Sequence, residues 1–297
     1  MGNSSSNHFV SPLRYPGGKG CIYNFVTDLF YKNSLIGIDY AEPYVGGAGL
    51  ALRLLADEYV NNIYINDLDI SIYSFWYSVI NHTVELCDWI EDVPVDVETW
   101  RHYKGIHENA GSGSFSYLDI AKSTFYLNRT NVSGVLKGGI IGGINQTGKY
   151  KIDARFNKKN LTDRIERIAL LKHRINISKL DGVHFIKRID SKLTNCFIYL
   201  DPPYVMKGAD LYMNYFKKKD HKRLAKHVAN ISKHWIMSYD NNKFISDVYS
   251  NYDRVSYNLS QSASNRVGKE IFIFGDMMDY HNSIIKLKNP KIINKCA

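Results

Sequence analysis

Short apolar runs alternate with amphipathic stretches along most of this chain. Ile36 to Tyr40, Tyr64 to Asn66, Ile175 to Leu180, Cys196 to Leu200 and Trp235 to Tyr239 are the right length and composition for buried strands. Between them apolar residues recur at helical spacing. Ile22, Phe25, Val26, Leu29 and Phe30 share one face, and Leu50 to Leu55 and Leu161 to Arg174 behave likewise. Arg254 to Leu259 and Glu270 to Phe274 read as a terminal hairpin. Strand and helix in alternation predict an α/β sheet, doubly wound and mostly parallel, with helices on both faces.

The rhythm changes between Ser71 and Leu161. Ile72, Tyr73, Phe75, Trp76, Val79 and Ile80 form a helix face, and Glu85 to Trp100 is helical with Pro94 as punctuation. Asn109 to Ser114 reads as a flexible joint, Ile120 to Leu127 as another helix, and Asn128 to Asn160 as a polar, glycine-laced stretch. The chain therefore divides into residues 1–71 with 161–297, one α/β domain, and 72–160, a mainly helical insertion. The tail from Lys286 reads as basic and mobile.

Composition narrows the function. With 297 residues, 44% hydrophobic, the chain can bury a substantial core. A formal charge of +9 favours a polyanionic partner, nucleic acid first, although an acidic membrane surface carries the same sign. Asp119 to Asn160 alone carries eight Lys/Arg against two Asp, a stretch that can order on a phosphate backbone or remain a solvated face. The 22 tyrosines suit base stacking, but an AT-rich genome explains much of that number. Cys21, Cys87, Cys196 and Cys296 are scattered, with no C-x-x-C and no Cys/His cluster. That argues against structural zinc and for a reducing compartment. No run reaches the ~18 apolar residues of a membrane span. Met1 to Ser6 formally matches a myristoylation pattern, yet reads more simply as a disordered polar leader or a cloning scar.

Three motifs carry chemistry. Asp201-Pro202-Pro203-Tyr204 ends the Cys196 to Leu200 strand, since neither proline donates an N–H and both fix φ. A carboxylate, a rigidly held carbonyl and an aromatic ring form a shelf for a planar heterocycle with an exocyclic amine. The plain alternative is a strand-ending turn with a surface Asp. Arg14-Tyr15-Pro16-Gly17-Gly18-Lys19-Gly20 is a tight loop feeding a helix N-terminus, a natural anion or carboxylate site to which Lys19 adds a cation. Glu42-Pro43-Tyr44-Val45-Gly46-Gly47-Ala48-Gly49 lies between strand and helix, where glycines let backbone approach a nucleotide-like cofactor. Asp67, about 20 residues on, stands where a carboxylate accepts ribose hydroxyls; it could equally cap the helix from Ile70.

R-Y-P-G-G-K, E-P-Y-V-G-G-A-G, N-D and D-P-P-Y, in this order and spacing, resemble the Dam-type (D12 class) adenine-N6 DNA methyltransferases from about Arg14 to Asp276. The glycine loop departs from the family's E-P-F-x-G-x-G, with Ala48 at the third loop position and Gly49 one further on. The resemblance implies a Rossmann-like methyltransferase sheet with a target-recognition insertion at 72–160. It implies S-adenosyl-L-methionine as cofactor, touched by Tyr15, Lys19, Glu42, Gly46, Gly47, Asp67 and Asp201. It implies catalysis by Asp201, Pro202 and Tyr204 on an adenine flipped from double-stranded DNA, with no metal.

Tyr126-Leu127-Asn128-Arg129 resembles the signature of the family's recognition insertion, which makes Arg14, Arg129, Asn131, Lys137, Lys217 and Lys218 the candidate DNA contacts. An adenine contact at Asp181-Gly182 with Phe185 on a ring is a further expectation, with core packing the alternative for Phe185. The expected location is cytoplasmic, nucleoid-associated in a bacterium or phage-encoded, with no membrane and no obligate protein partner. Three alternatives stand beside this reading: cytosine-N4 methylation, adenine methylation in RNA, and a catalytically silent DNA-binding homologue.

Overall fold

The computed structural model describes residues 11–14, 19–205, 216–260 and 267–295. The polar leader, Tyr15, Gly17, most of the Val205 to Tyr215 loop, residues 261–266 of the hairpin connector, and Cys296 lie outside the described residues.

Among the described residues eight strands form one sheet: β1 Ile38–Glu42, β2 Val60–Asn66, β3 Ile175–Ser178, β4 Cys196–Leu200, β5 His234–Asp240, β6 Arg254–Ser260, β7 Val267–Phe274 and β8 Lys288–Ile293. Their order is β3-β2-β1-β4-β5-β7-β6-β8. The first five are parallel, and β7, β6 and β8 add antiparallel pairs. The chain winds outward from β1 to β3, then crosses back to β4 on the other side of β1. The β1–β4 junction is thus a topological switch point, where strand carboxyl ends open a crevice.

Alternation along the inner strands sorts two apolar faces. Ala41, Ile198, Leu200, Met237, Tyr239, Ile271 and Ile273 meet helices α8 Gly182–Lys192, α9 Lys218–Val228 and α10 Lys243–Val248. Tyr40, Phe197, Tyr199, Tyr257, Phe272 and Phe274 face the other way. Helix α1, Tyr23–Lys32, lies on that second face through an aromatic layer: Phe25 stacks on Phe272 at 4.9 Å and Phe30 meets Phe197 edge-on at 4.7 Å. Helix α2, Gly49–Ala56, follows the glycine loop.

Helices α3 Ile70–Asn81, α4 Thr83–Asp92, α5 Val97–Glu108, α6 Tyr117–Thr130 and α7 Lys158–Leu170 stand between β2 and β3 in the chain. Side-chain caps start four of them, Asp69 on α3 being one. Asp96 caps α5, Asn157 caps α7, and Ser116 with Asp119 forms a reciprocal capping box on α6. Phe75 of α3 stacks on Phe125 of α6 with rings 2° from parallel, and the apolar cluster continues from here to the α1 face of the sheet.

The tail corrects one expectation. Lys288–Ile293 is not free but pairs with β6 as the edge strand β8. Pro290 and the lysines hide it in the sequence, and they are the residues an edge strand tolerates, since its outer side needs no N–H donor and charge discourages further pairing.

Candidate active site at the strand switch point

The site residues share one face because side chains two apart on a strand point the same way. Tyr40 and Glu42 on β1, Tyr199 and Asp201 on and just after β4, Ser238 on β5, Glu270 on β7 and Tyr257 opposite it on β6 bring their polar ends together at the switch point. Lys19 arrives from the turn before α1, which the aromatic layer holds against this face.

Asp201 is the hub. Lys19 Nζ lies 3.3 Å from its Oδ1, the Tyr204 hydroxyl donates to that oxygen at 3.2 Å, and the Ser238 hydroxyl donates at 2.6 Å. All three described donors converge on Oδ1. Burial raises the Asp201 pKa, the Glu270 charge adds to this, and Lys19 and Ser238 oppose it. Burial alone would lower the Lys19 pKa, but Asp201 and Glu270 outweigh it and hold the ammonium charged. Lys19 also donates to the Tyr204 hydroxyl at 2.5 Å and lies 5.1 Å from that ring's centre.

Glu42 is 5% exposed, and burial pushes its carboxyl up to about 8 although the Tyr40 hydroxyl donates to it at 2.6 Å. It is therefore protonated at neutral pH. Asp67 crosses from the tip of β2 to the glycine loop. Its Oδ2 accepts the Gly46 N–H and its Oδ1 the Asp69 N–H, each at 3.0 Å. Burial, with the Asp69 charge adding, pushes Asp67 up to about 7. The cap of α3 is Asp69, whose carboxylate takes the Ser71 N–H at 2.8 Å, so Asp67 does not cap that helix. In the loop Gly46 and Ala48 both take positive φ, +46° and +51°. The Trp76 indole N–H from α3 donates to the Gly46 carbonyl at 2.8 Å. The buried Tyr44 hydroxyl has no hydrogen-bond partner among the described residues, and its ring packs so closely on Gly182 that a Cβ there would lie 2.4 Å from the hydroxyl oxygen. Phe185 is core, the alternative expected for it, and Asp181 caps α8 and pairs with Arg223 at 2.9 and 3.1 Å.

Sequence reading missed Glu270, Ser238, Tyr257 and Asn128 as individual site residues. Glu270 had a signal, a lone carboxylate opening the apolar run Ile271 to Phe274. Ser238 and Tyr257 had none, because only strand pairing brings them here.

Two DNA-contact expectations are corrected. Arg129 is 7% exposed and spends its guanidinium on the Pro12 carbonyl; burial, with Arg164 and Arg14 adding repulsion, pushes its pKa down to about 9. Asn131 is 0% exposed, donating to the Val135 and Leu136 carbonyls and accepting the Trp100 indole N–H. Asn131 holds the turn after α6 together from inside, and Arg129 ties α6 to the segment at Pro12, so neither presents a surface. Lys137 on that turn is exposed, as are Lys217 and Lys218 at the start of α9. Arg14 is half-buried, donating to the Asn131 carbonyl. Arg155 stands near it, Arg164 stands near Arg129, and among the described residues no carboxylate pairs with Arg14, Arg129 or Arg164.

The family model for D12 class N6 adenine-specific DNA methyltransferases matches residues 15–262. The chain belongs to this family. It is also 24% identical, over 237 residues, to a Type II methyltransferase, M.CviBI, of Paramecium bursaria Chlorella virus NC1A, covering 78% of this chain and 85% of that protein. The enzyme is thus a DNA methyltransferase acting on N6 of adenine, and it requires a methyl donor. Among the described residues no helix is long and apolar enough to cross a membrane.

Proposed function

We propose that the enzyme methylates an adenine flipped out of double-stranded DNA, with S-adenosyl-L-methionine as donor. The observation that carries this reading is the convergence of Lys19, Tyr204 and Ser238 on one oxygen of Asp201 at the sheet's switch point. Lys19 and Ser238 oppose the burial that favours the protonated acid, and all three donors fix the group, ready to accept hydrogen bonds from an amine.

The residues fit the donor molecule. Gly46 brings backbone close at positive φ, Asp67 offers a carboxylate at the strand tip, and the orphaned Tyr44 hydroxyl lies buried near both Asp67 and Asp181. Tyr15, Lys19, Glu42, Gly46, Gly47, Asp67 and Asp201 would hold it. When bound, it supplies an activated methyl group on a sulfonium.

The N6 amine is a poor nucleophile because its lone pair is delocalised into the ring. Asp201 and the Pro202 carbonyl would accept its two N–H groups, favouring a pyramidal nitrogen whose lone pair points away from them. Tyr204 would stack on the base, contributing about 1–3 kcal/mol against a flipping cost of about a few kcal/mol. Residues 72–160 are the proposed target-recognition insertion. Lys137, Lys217, Lys218, Arg14 and the neighbouring Arg155 and Arg164 are the proposed phosphate or base contacts, since clustered cations lacking acidic partners suit a polyanion. The relative's Type II designation supports a restriction–modification setting for this chain too.

The test is Asp201→Ala. Duplex binding should survive while N6-methyladenine, measured by nucleoside mass spectrometry, falls at least a thousandfold. Full activity would sink the mechanism. RNA and single-stranded DNA tested alongside decide the substrate.

A further inference from the structure

Glu270 is 4% exposed on β7, and the family's D-P-P-Y chemistry does not call for it. Both its carboxylate oxygens lie on Lys19 Nζ, at 3.1 and 3.3 Å, and the Tyr257 hydroxyl donates to Oε2 at 2.8 Å. A neutral Lys19–Asp201 pair would already satisfy the ammonium. Bringing a second carboxylate out of water costs free energy that the shared cation only partly returns. That cost leaves an electrical consequence: one ammonium against two carboxylates gives the cluster one net negative charge.

Among the described residues the surrounding groups do not cancel it. Glu42 is protonated at neutral pH, and burial keeps Cys21, Tyr199, Tyr204 and Tyr257 neutral by raising each pKa.

We propose that Glu270 is a positioning residue which, through Lys19, sets the site's charge at minus one and so makes it prefer a cationic methyl donor to the neutral product. This rests on the S-adenosyl-L-methionine reading above. The donor's sulfonium carries one positive charge. After transfer the carbon–sulfur bond is broken, the methyl carbon is bonded to N6, a proton has passed from the nitrogen to solvent, and the sulfur is a neutral sulfide. A site one charge short favours the first state over the second in low-dielectric surroundings. Without Glu270 the Lys19–Asp201 pair is neutral and the preference goes. Glu270 therefore works against product inhibition by a route independent of the base.

The experiment is calorimetric and uses the full chain without DNA. Dissociation constants are measured for S-adenosylmethionine, S-adenosylhomocysteine and sinefungin, an analogue with an ammonium-bearing carbon in place of the sulfonium. Wild type should prefer the two cations, and Glu270→Gln should lose roughly tenfold of that preference. Glu270→Asp keeps the charge on a shorter side chain and should retain the preference that Glu270→Gln loses. Tyr257→Phe keeps every charge and should keep the ratio, which separates charge from packing. An unchanged ratio in Glu270→Gln, or a loss of equal size in Glu270→Asp, overturns the inference while leaving the cofactor reading intact. Failure of wild type to bind any of the three overturns the cofactor reading and this inference with it.

Discussion

Asn128 grips both backbone groups of Arg14. Its Oδ1 accepts the Arg14 N–H at 2.7 Å, and its Nδ2 donates to the Arg14 carbonyl at 2.8 Å and to the Gly134 carbonyl at 2.9 Å. Arg14 lies five residues before Lys19, and Asn128 sits near the end of α6. One amide thus joins the helical insertion to the segment that delivers the site's lysine. Asn128→Ala should cost about 2–3 kcal/mol, because it strips partners from buried backbone groups. Gly134→Ala should do as much by a different route: φ there is +75°, and a Cβ would meet the Arg14 carbonyl oxygen at 2.4 Å. Urea melts of both variants measure this.

Tyr204 has two separable jobs. Its ring is the proposed stacking surface, and its hydroxyl ties Asp201 to Lys19. Tyr204→Phe should keep the stack and lower kcat about tenfold. Tyr204→Ala should lose a further ~1–3 kcal/mol of base binding. Steady-state methyl transfer, with 2-aminopurine fluorescence to follow the flipped base, distinguishes the two.

Exposed and buried cations should part company in a salt titration. Lys137→Ala and Arg155→Ala should each lower the slope of log affinity against log salt by about 1 while leaving the melting temperature alone. Arg129→Met should lower stability by about 2 kcal/mol through the orphaned Pro12 carbonyl, with little change in slope. Fluorescence anisotropy on a duplex, beside thermal melts, gives both readings.

Glu42 predicts a pH effect with a definite sign. Its folded pKa of about 8 lies above the ordinary glutamate value. Folded protein therefore keeps a proton that the unfolded chain has released. Stability from this group is full below about pH 4.5 and is lost progressively as pH rises towards 8. Glu42→Gln removes the titration but keeps an acceptor for the Tyr40 hydroxyl. The variant should be more stable than the parent at pH 8.5, by on the order of a few kcal/mol, and close to it near pH 5. Asp67 carries the same sign but is present in both proteins, so it cancels in the comparison.

Much of the site was legible because it is local. Pro202 and Pro203 end β4 where the apolar run stops, and Asp201 follows at once. The glycine loop falls between β1 and α2 as the pattern required. Strand limits moved by up to four residues, β2 starting at Val60 rather than Tyr64, since pairing partners rather than composition set where a strand begins. Arg129 and Asn131 misled for a physical reason. Charge and polarity mark a surface on average, but buried carbonyls need buried donors: Asn131 supplies them to the turn after α6 and Arg129 to Pro12.

By itself the order of residues determined the alternation of strands and helices, the prolines that stop β4 and the family to which the chain belongs. All of these depend on neighbours a few positions apart. Only the tertiary structure decided that Lys19 meets Glu270 across 251 positions, that Ser238 rests on Asp201, and that the tail closes the sheet as β8. Such contacts arise from which strands lie side by side, and strand order follows from how the whole core is buried rather than from any one segment.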